Sequence, residues 1–83
     1  MSGGLPAISG AKLAALLEKD GWQFVRDSTH GAAYTKTFAD GPRIATVQTR
    51  RKSLARGTLA AILGPKQTGL GRRGLERLLR RHG

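Results

Sequence analysis

Cysteine is absent from this chain. Its absence excludes disulfide bonds, thiolate nucleophiles and zinc sites built on cysteine ligands. Histidine is scarce as well, since only His30 and His82 are present, and the few acidic residues are scattered along the sequence. These side chains form no cluster with the spacing of metal ligands. We therefore expect neither a metal site nor a small-molecule cofactor.

Acidic residues are few, and their scarcity leaves the chain strongly positive. Five Asp and Glu stand against 15 Lys and Arg, for a formal net charge of +10 over 83 residues. A charge of this size attracts polyanions and releases their counterions on contact. Nucleic acid is therefore the leading class of partner, and an anionic membrane is the alternative.

Long apolar runs are missing too. No stretch approaches the roughly 20 residues of a membrane-spanning helix. The N-terminal sequence MSGGLPAISG lacks the charged and apolar regions of a signal peptide. We expect a cytoplasmic protein with no membrane partner, and a length of 83 residues predicts a single domain over 1–83.

The apolar pattern of the first half predicts one helix and three strands. Ser9 is a candidate N-cap for a leucine-rich helix, and Gly21 is its stop signal. Alternating β-favouring residues follow, and the Asp40-Gly41 pair before Pro42 is a turn signal. The predicted elements are a helix over 9–20 and strands over 22–27, 32–38 and 43–49. Short turns between consecutive strands predict an antiparallel meander.

Two more helices are predicted after a basic run. Thr58 is a candidate cap for a short helix that Gly64 ends, and an arginine-rich helix follows over 71–81, weakened by Gly74. The order of elements predicts an α+β fold with a three-stranded antiparallel sheet, helices on one face, and an extra C-terminal helix. Residues 65–83 form a basic helical extension in this scheme.

His30 is the residue with the most chemistry to offer. It lies in the predicted turn between the first two strands, after Ser28 and Thr29 and before Gly31. Histidine both takes and gives a proton near neutral pH, which RNA cleavage requires at the attacking 2′-hydroxyl and at the 5′-oxygen leaving group. A histidine in a turn is more often a surface bystander, so catalysis and a passive role both stay open.

Cationic side chains near His30 in the sequence are candidates for phosphate contacts. The glycine after the histidine would let an RNA backbone approach closely. The candidates are Lys36, Arg43, Arg50, Arg51 and Lys52. Spacing alone does not show which of them share a face with His30.

The aromatic residues have two possible uses. Aromatic rings stack on nucleic-acid bases, but aromatics at alternating strand positions usually belong to a core. Trp22 and Phe24 alternate in this way, and we predict that both are core residues.

The order of these segments resembles the HicA toxins of bacterial toxin-antitoxin pairs. The likeness runs over residues 8–64 and rests on a leucine-rich helix, EKDGWQFVR, a Ser/Thr-His turn, an aromatic strand, ADGPRIATV, a basic run and RGTLAAIL. It implies a double-stranded-RNA-binding-domain-like fold and a metal-independent endoribonuclease that cleaves mRNA with one essential histidine. It also implies silencing by a HicB-like antitoxin protein. By this resemblance the essential histidine is His30, and Ser28 and Thr29 cradle it.

One spacing departs from that family. Its histidine usually lies three positions before the aromatic residue of the next strand, whereas His30 lies four before Tyr34. A one-residue slip on a strand moves a side chain to the other face. The first hypothesis, which the resemblance implies, is a ribonuclease toxin. The alternative, which the shifted position of His30 favours, is a non-catalytic nucleic-acid-binding module on the same scaffold. A third, the C-terminal helix as a membrane-surface element, lacks an aromatic anchor.

Overall fold

The first helix forms where the sequence predicts it, as the computed structural model of residues 7–82 shows. Helix α1 spans Gly10–Lys19, and the Ser9 hydroxyl accepts a hydrogen bond of 3.0 Å from the Lys12 N–H, which confirms Ser9 as the N-cap. The first six residues, where the sequence lacks a signal-peptide pattern, and residue 83 at the end of the predicted extension lie outside the described range. The Trp22 N–H donates to the Leu17 carbonyl, so Trp22 belongs to the turn after the helix.

Three strands follow and form one antiparallel sheet in the order β1-β2-β3. Strand β1 spans Gln23–Ser28, β2 spans Gly31–Phe38 and β3 spans Gly41–Val47. Two-residue turns join them, and each turn is followed by a glycine with positive φ, 130° at Gly31 and 119° at Gly41. The predicted meander and the predicted turn at Asp40-Gly41 are confirmed.

The third strand ends two residues earlier than predicted. Beyond Val47 the chain turns, because the Arg51 N–H donates to the Gln48 carbonyl at 3.1 Å. The Gly10 N–H, at the start of α1, donates to the Arg51 carbonyl at 2.9 Å. This turn therefore packs on the first residue of α1, and Gln48 and Thr49 leave the sheet.

Helices α2 and α3 complete the α+β fold. Helix α2 spans Arg56–Leu63 with Ala55 as its N-cap, so the prediction that Thr58 caps it was wrong. The helix begins one turn earlier because the Leu59 N–H already donates to the Ala55 carbonyl. Helix α3 spans Gly71–His82 and confirms the predicted C-terminal helix.

One face of the sheet carries the core. Ala32 and Tyr34 of β2 and Ala45 and Val47 of β3 are buried there in one cluster with apolar side chains of all three helices. The other face is more exposed, since Ile44 keeps 61% of its surface in solvent there, although Ala33 on the same face is buried. The prediction of helices on one face of the sheet is confirmed in this arrangement.

Tyr34 is the core residue with a polar anchor. Its hydroxyl donates a hydrogen bond of 3.2 Å to the Glu18 carboxylate on α1. Burial, and then the nearby Glu18 carboxylate, raise the pKa of the Tyr34 hydroxyl above its usual value, so it stays protonated near neutral pH. This contact ties α1 to the middle of the sheet.

Strand β1 is the least covered part of the sheet. All six of its residues are exposed, and a bulge between Phe24 and Arg26 breaks its simple alternation. Trp22 is buried at 2% exposure, as predicted, but Phe24 is 52% exposed, so the prediction that it is a core residue was wrong. The buried sheet residues belong to β2 and β3, and Phe24 on the edge strand lies outside their cover.

Candidate nucleic-acid interface

The turn between β1 and β2 presents His30 to solvent. Ser28 pairs with Gly31, which leaves Thr29 and His30 as the two turn residues. The Ser28 hydroxyl accepts a hydrogen bond of 3.2 Å from the His30 N–H and donates one of 3.0 Å to the Gly31 carbonyl. Serine at the first position and glycine at the fourth are the residue types that favour such a turn.

Gly31 brings this turn against the end of β3. A Cβ at this position would overlap the carbonyl oxygen of Val47, and its φ of 130° disfavours any other residue. Position 31 therefore favours glycine, and His30 occupies the preceding position, in the turn itself.

An open cleft of about 930 Å³ lies between the turn and the segment after β3. The turn forms one wall, and the chain that follows Val47 forms the other. The lining residues are Asp27, Ser28, Thr29, His30, Gly31, Gln48, Thr49, Arg50 and Arg51. Five of the eight residues predicted from the sequence as catalytic or RNA-binding therefore share one cleft.

Two of the other three predicted RNA contacts lie elsewhere and have structural partners. The Lys36 ammonium donates to the Asp20 carbonyl at 2.7 Å and to its carboxylate at 3.2 Å. The Arg43 guanidinium donates to the Pro65 carbonyl at 2.8 Å. Both cations lie over the Phe38 ring, each 5.4 Å from its centroid. Lys36 thus holds the end of α1, and Arg43 holds the segment between α2 and α3.

Lys52, the last predicted contact, is exposed next to Arg51 but does not line the cleft.

The sequence interpretation missed three cleft residues: Asp27, Gln48 and Thr49. Their only signal is their position, because Asp27 directly precedes the Ser28 turn and Gln48-Thr49 directly precede the basic run. Gln48 and Thr49 were missed because the predicted third strand included them, whereas β3 ends at Val47.

The cleft combines cationic, hydrogen-bonding and proton-transferring groups. Arg50 and Arg51 are exposed on one wall, and a guanidinium fork matches phosphate oxygens in a bidentate manner. Thr29, Gln48 and Thr49 add donors and acceptors. The His30 N–H donates to the Ser28 hydroxyl, and His30 is exposed and lines the cleft. Such a site can hold a phosphodiester with an imidazole beside it.

Replacing both cleft arginines by alanine is expected to weaken RNA binding. Each lost phosphate contact should reduce the slope of log affinity against log salt by about 0.7 for a single strand, or about 1.4 for the pair. Arg50→Ala/Arg51→Ala is measured by fluorescence anisotropy over a salt series. The charge-matched control is Arg80→Ala/Arg81→Ala on α3, whose two side chains are also exposed. Equal losses in both variants would contradict a phosphate site in the cleft.

The chain matches no family model, no curated protein and no solved structure. Across residues 7–82, none of the helices has the length and apolar character needed to cross a membrane. The same part of the chain holds no group of three or more His, Asp or Glu side chains placed to bind a metal ion.

Proposed function

We propose that this protein is the toxin of a type II toxin-antitoxin pair, a HicA-type endoribonuclease that cleaves mRNA without a metal ion. The observation that carries the proposal is the cleft itself, in which His30 and the Arg50-Arg51 pair face one open space although twenty residues separate them in sequence. The α-β-β-β-α order with helices on one face supports a double-stranded-RNA-binding-domain-like fold. The net charge of +10 supports RNA as the substrate.

The proposed reaction is an internal transfer at one phosphodiester. Neutral His30 accepts the proton of a ribose 2′-hydroxyl, and the 2′-oxygen attacks the adjacent phosphorus. The bond from phosphorus to the 5′-oxygen breaks, and the imidazolium returns the proton to that oxygen. Arg50 and Arg51 stabilise the charge that develops on the phosphate oxygens. The products are a 2′,3′-cyclic phosphate and a 5′-hydroxyl, so no external reactant is needed.

A second candidate function is a nucleic-acid-binding module without catalysis. The exposure of the His30 turn favours it, because a catalytic base is normally oriented by a third group that hydrogen-bonds its other nitrogen. This module would use the same cleft and the same arginines. It would bind RNA with strong salt dependence and leave the strand intact.

Cleavage of an end-labelled mRNA by the purified protein in EDTA tests the proposal. We expect internal cuts with 2′,3′-cyclic phosphate ends, and growth arrest when the protein is expressed alone. Binding without cleavage over the same protein concentrations would favour the binding module. Cleavage that stops on addition of EDTA would contradict the metal-independent mechanism.

The proposed antitoxin is an acidic HicB-like protein that covers the cleft. Complementary charge speeds encounter with a partner and blocks RNA from the same surface. We expect the product of the adjacent gene to inhibit cleavage in proportion to its occupancy, and Arg50→Ala/Arg51→Ala to slow its association more at low salt than at high salt. Unchanged cleavage in the presence of that protein would contradict this part of the proposal.

A further inference from the structure

Phe24 is an exposed aromatic residue at a position where the sequence pattern predicts burial. Over half of its surface, 52%, is in solvent. Its ring meets the Tyr34 ring at 70° with centroids 5.8 Å apart. Tyr34 is buried and hydrogen-bonded to Glu18, so Phe24 has a fixed neighbour. The ring is therefore positioned by the fold and remains accessible.

Phe24 lies on the same strand and the same face as Asp27, a residue that lines the cleft. The register pairs Phe24 with Tyr34 and Asp27 with Ala32, and residues 32 and 34 of β2 share a face. Phe24 and Asp27 therefore point the same way, and Asp27 lines the cleft. Three residues along an extended strand span no more than about 10 Å. A strand of RNA held in the cleft can reach the ring within one or two nucleotides.

The charge of the neighbouring cleft identifies what the ring contacts. Arg50 and Arg51 attract phosphates, and a single strand that binds there carries unpaired bases whose faces are free to stack. Bases within a duplex are already stacked on each other and are not available to a side chain. An aromatic ring next to a phosphate-binding surface is the combination that binds single strands without need of base-edge contacts.

We propose that Phe24 is the stacking platform for an unpaired nucleobase of the RNA strand whose phosphates occupy the His30 cleft. This inference rests on the proposed function only in that RNA binds the cleft, and it does not require cleavage. It makes single-stranded RNA the substrate class. Every nucleobase has an aromatic face, so the stacking contact tolerates different bases.

The test measures binding by fluorescence anisotropy in a His30→Ala background, where the RNA stays intact. Phe24→Ala is expected to weaken binding of a short single-stranded RNA by between about 5-fold and 150-fold, the range for loss of one stacked base. Phe24→Trp is expected to keep the affinity and to show quenching of indole fluorescence by RNA, above a constant signal from buried Trp22. The control is Ile44→Ala, which removes an apolar side chain that is 61% exposed on the opposite face.

An abasic nucleotide, moved stepwise through the positions of the same RNA, completes a double-mutant cycle between protein and RNA. At the stacked position it should weaken binding to the parent protein and leave binding to Phe24→Ala unchanged, because the two changes remove one interaction. Duplex RNA of equal length should bind both proteins alike. An equal effect of Phe24→Ala and Ile44→Ala, or an equal loss on single-stranded and duplex RNA, would overturn the inference.

Failure of this inference is distinct from failure of the proposed function. If the wild-type protein cuts RNA while Phe24→Ala binds as tightly as Ile44→Ala, the ribonuclease proposal stands and the stacking platform is wrong. If the protein cuts no RNA while the cycle with the abasic nucleotide shows coupling, the stacking role of Phe24 is supported and the protein is a binding module rather than a ribonuclease. Loss of antitoxin binding in Phe24→Ala with unchanged RNA affinity would assign the ring to the protein partner and overturn the inference.

Discussion

Substitution of His30 by alanine is expected to abolish RNA cleavage in EDTA. An imidazole that moves protons in the transition state contributes about 10²- to 10⁴-fold to a rate, and the cleft offers His30 as its imidazole. Single-turnover cleavage of labelled mRNA measures the loss directly. The fold should be unaffected, because the His30 side chain is exposed and the turn is held by its backbone and Ser28.

His82→Ala is the matched control for that experiment. It removes the other histidine of the chain, at the end of α3, and should leave cleavage unchanged. Anisotropy separates chemistry from binding, since His30→Ala should keep most of its affinity for RNA while Arg50 and Arg51 are intact. Cleavage by His30→Ala at the wild-type rate would rule out a catalytic role for His30.

The pH dependence of the same reaction gives a second reading. A histidine that takes a proton from the 2′-hydroxyl must be neutral when the reaction starts, so the wild-type rate should rise as the pH is raised from acidic values. The residual rate of His30→Ala should lack this rise. A rise of the same size in both proteins would place the proton transfer on another group.

The elements of the fold were predictable because their signals are local. Ser9 caps α1 through its own side chain, and the glycines at 31 and 41 follow two-residue turns, so a few adjacent residues decide each boundary. The start of α2 was not predictable from Thr58, because Ala55 begins the helix without a side-chain cap. Phe24 was mispredicted for a non-local reason, since its exposure depends on which strands the helices cover.

The candidate site depends on contacts that no short window of sequence contains. His30 was recognisable by its chemistry and Arg50-Arg51 by their charge, but their meeting depends on Gly31 packing against the Val47 carbonyl. Lys36 and Arg43 have the same charge and lie opposite each other on β2 and β3, yet their partners are Asp20 and Pro65. Only the tertiary structure separates the cations that line the cleft from those that hold the scaffold.

The close packing of α1 on the far wall of the cleft leads to the second large effect, at Gly10. A Cβ there would overlap the Gln48 carbonyl oxygen and lie 2.6 Å from the Gln48 carbonyl carbon and 2.9 Å from the Thr49 Cα. These are backbone atoms that cannot rotate away. Gly10→Ala must therefore push the start of α1 away from the segment that carries Arg50 and Arg51, and overpacking of this kind costs about 1–3 kcal/mol or more.

Gly57→Ala is the matched substitution, near the start of α2. A Cβ at Gly57 meets nothing within 4 Å, so alanine should stabilise that helix by up to about 1 kcal/mol through its higher helix propensity. Urea unfolding should thus move the two midpoints in opposite directions. In the absence of urea, where the variant is folded, Gly10→Ala should also weaken RNA binding, because the displaced segment carries Arg50 and Arg51. Stabilisation by both alanines would mean that α1 does not press on this segment, and the cleft would lose the contact that fixes its shape.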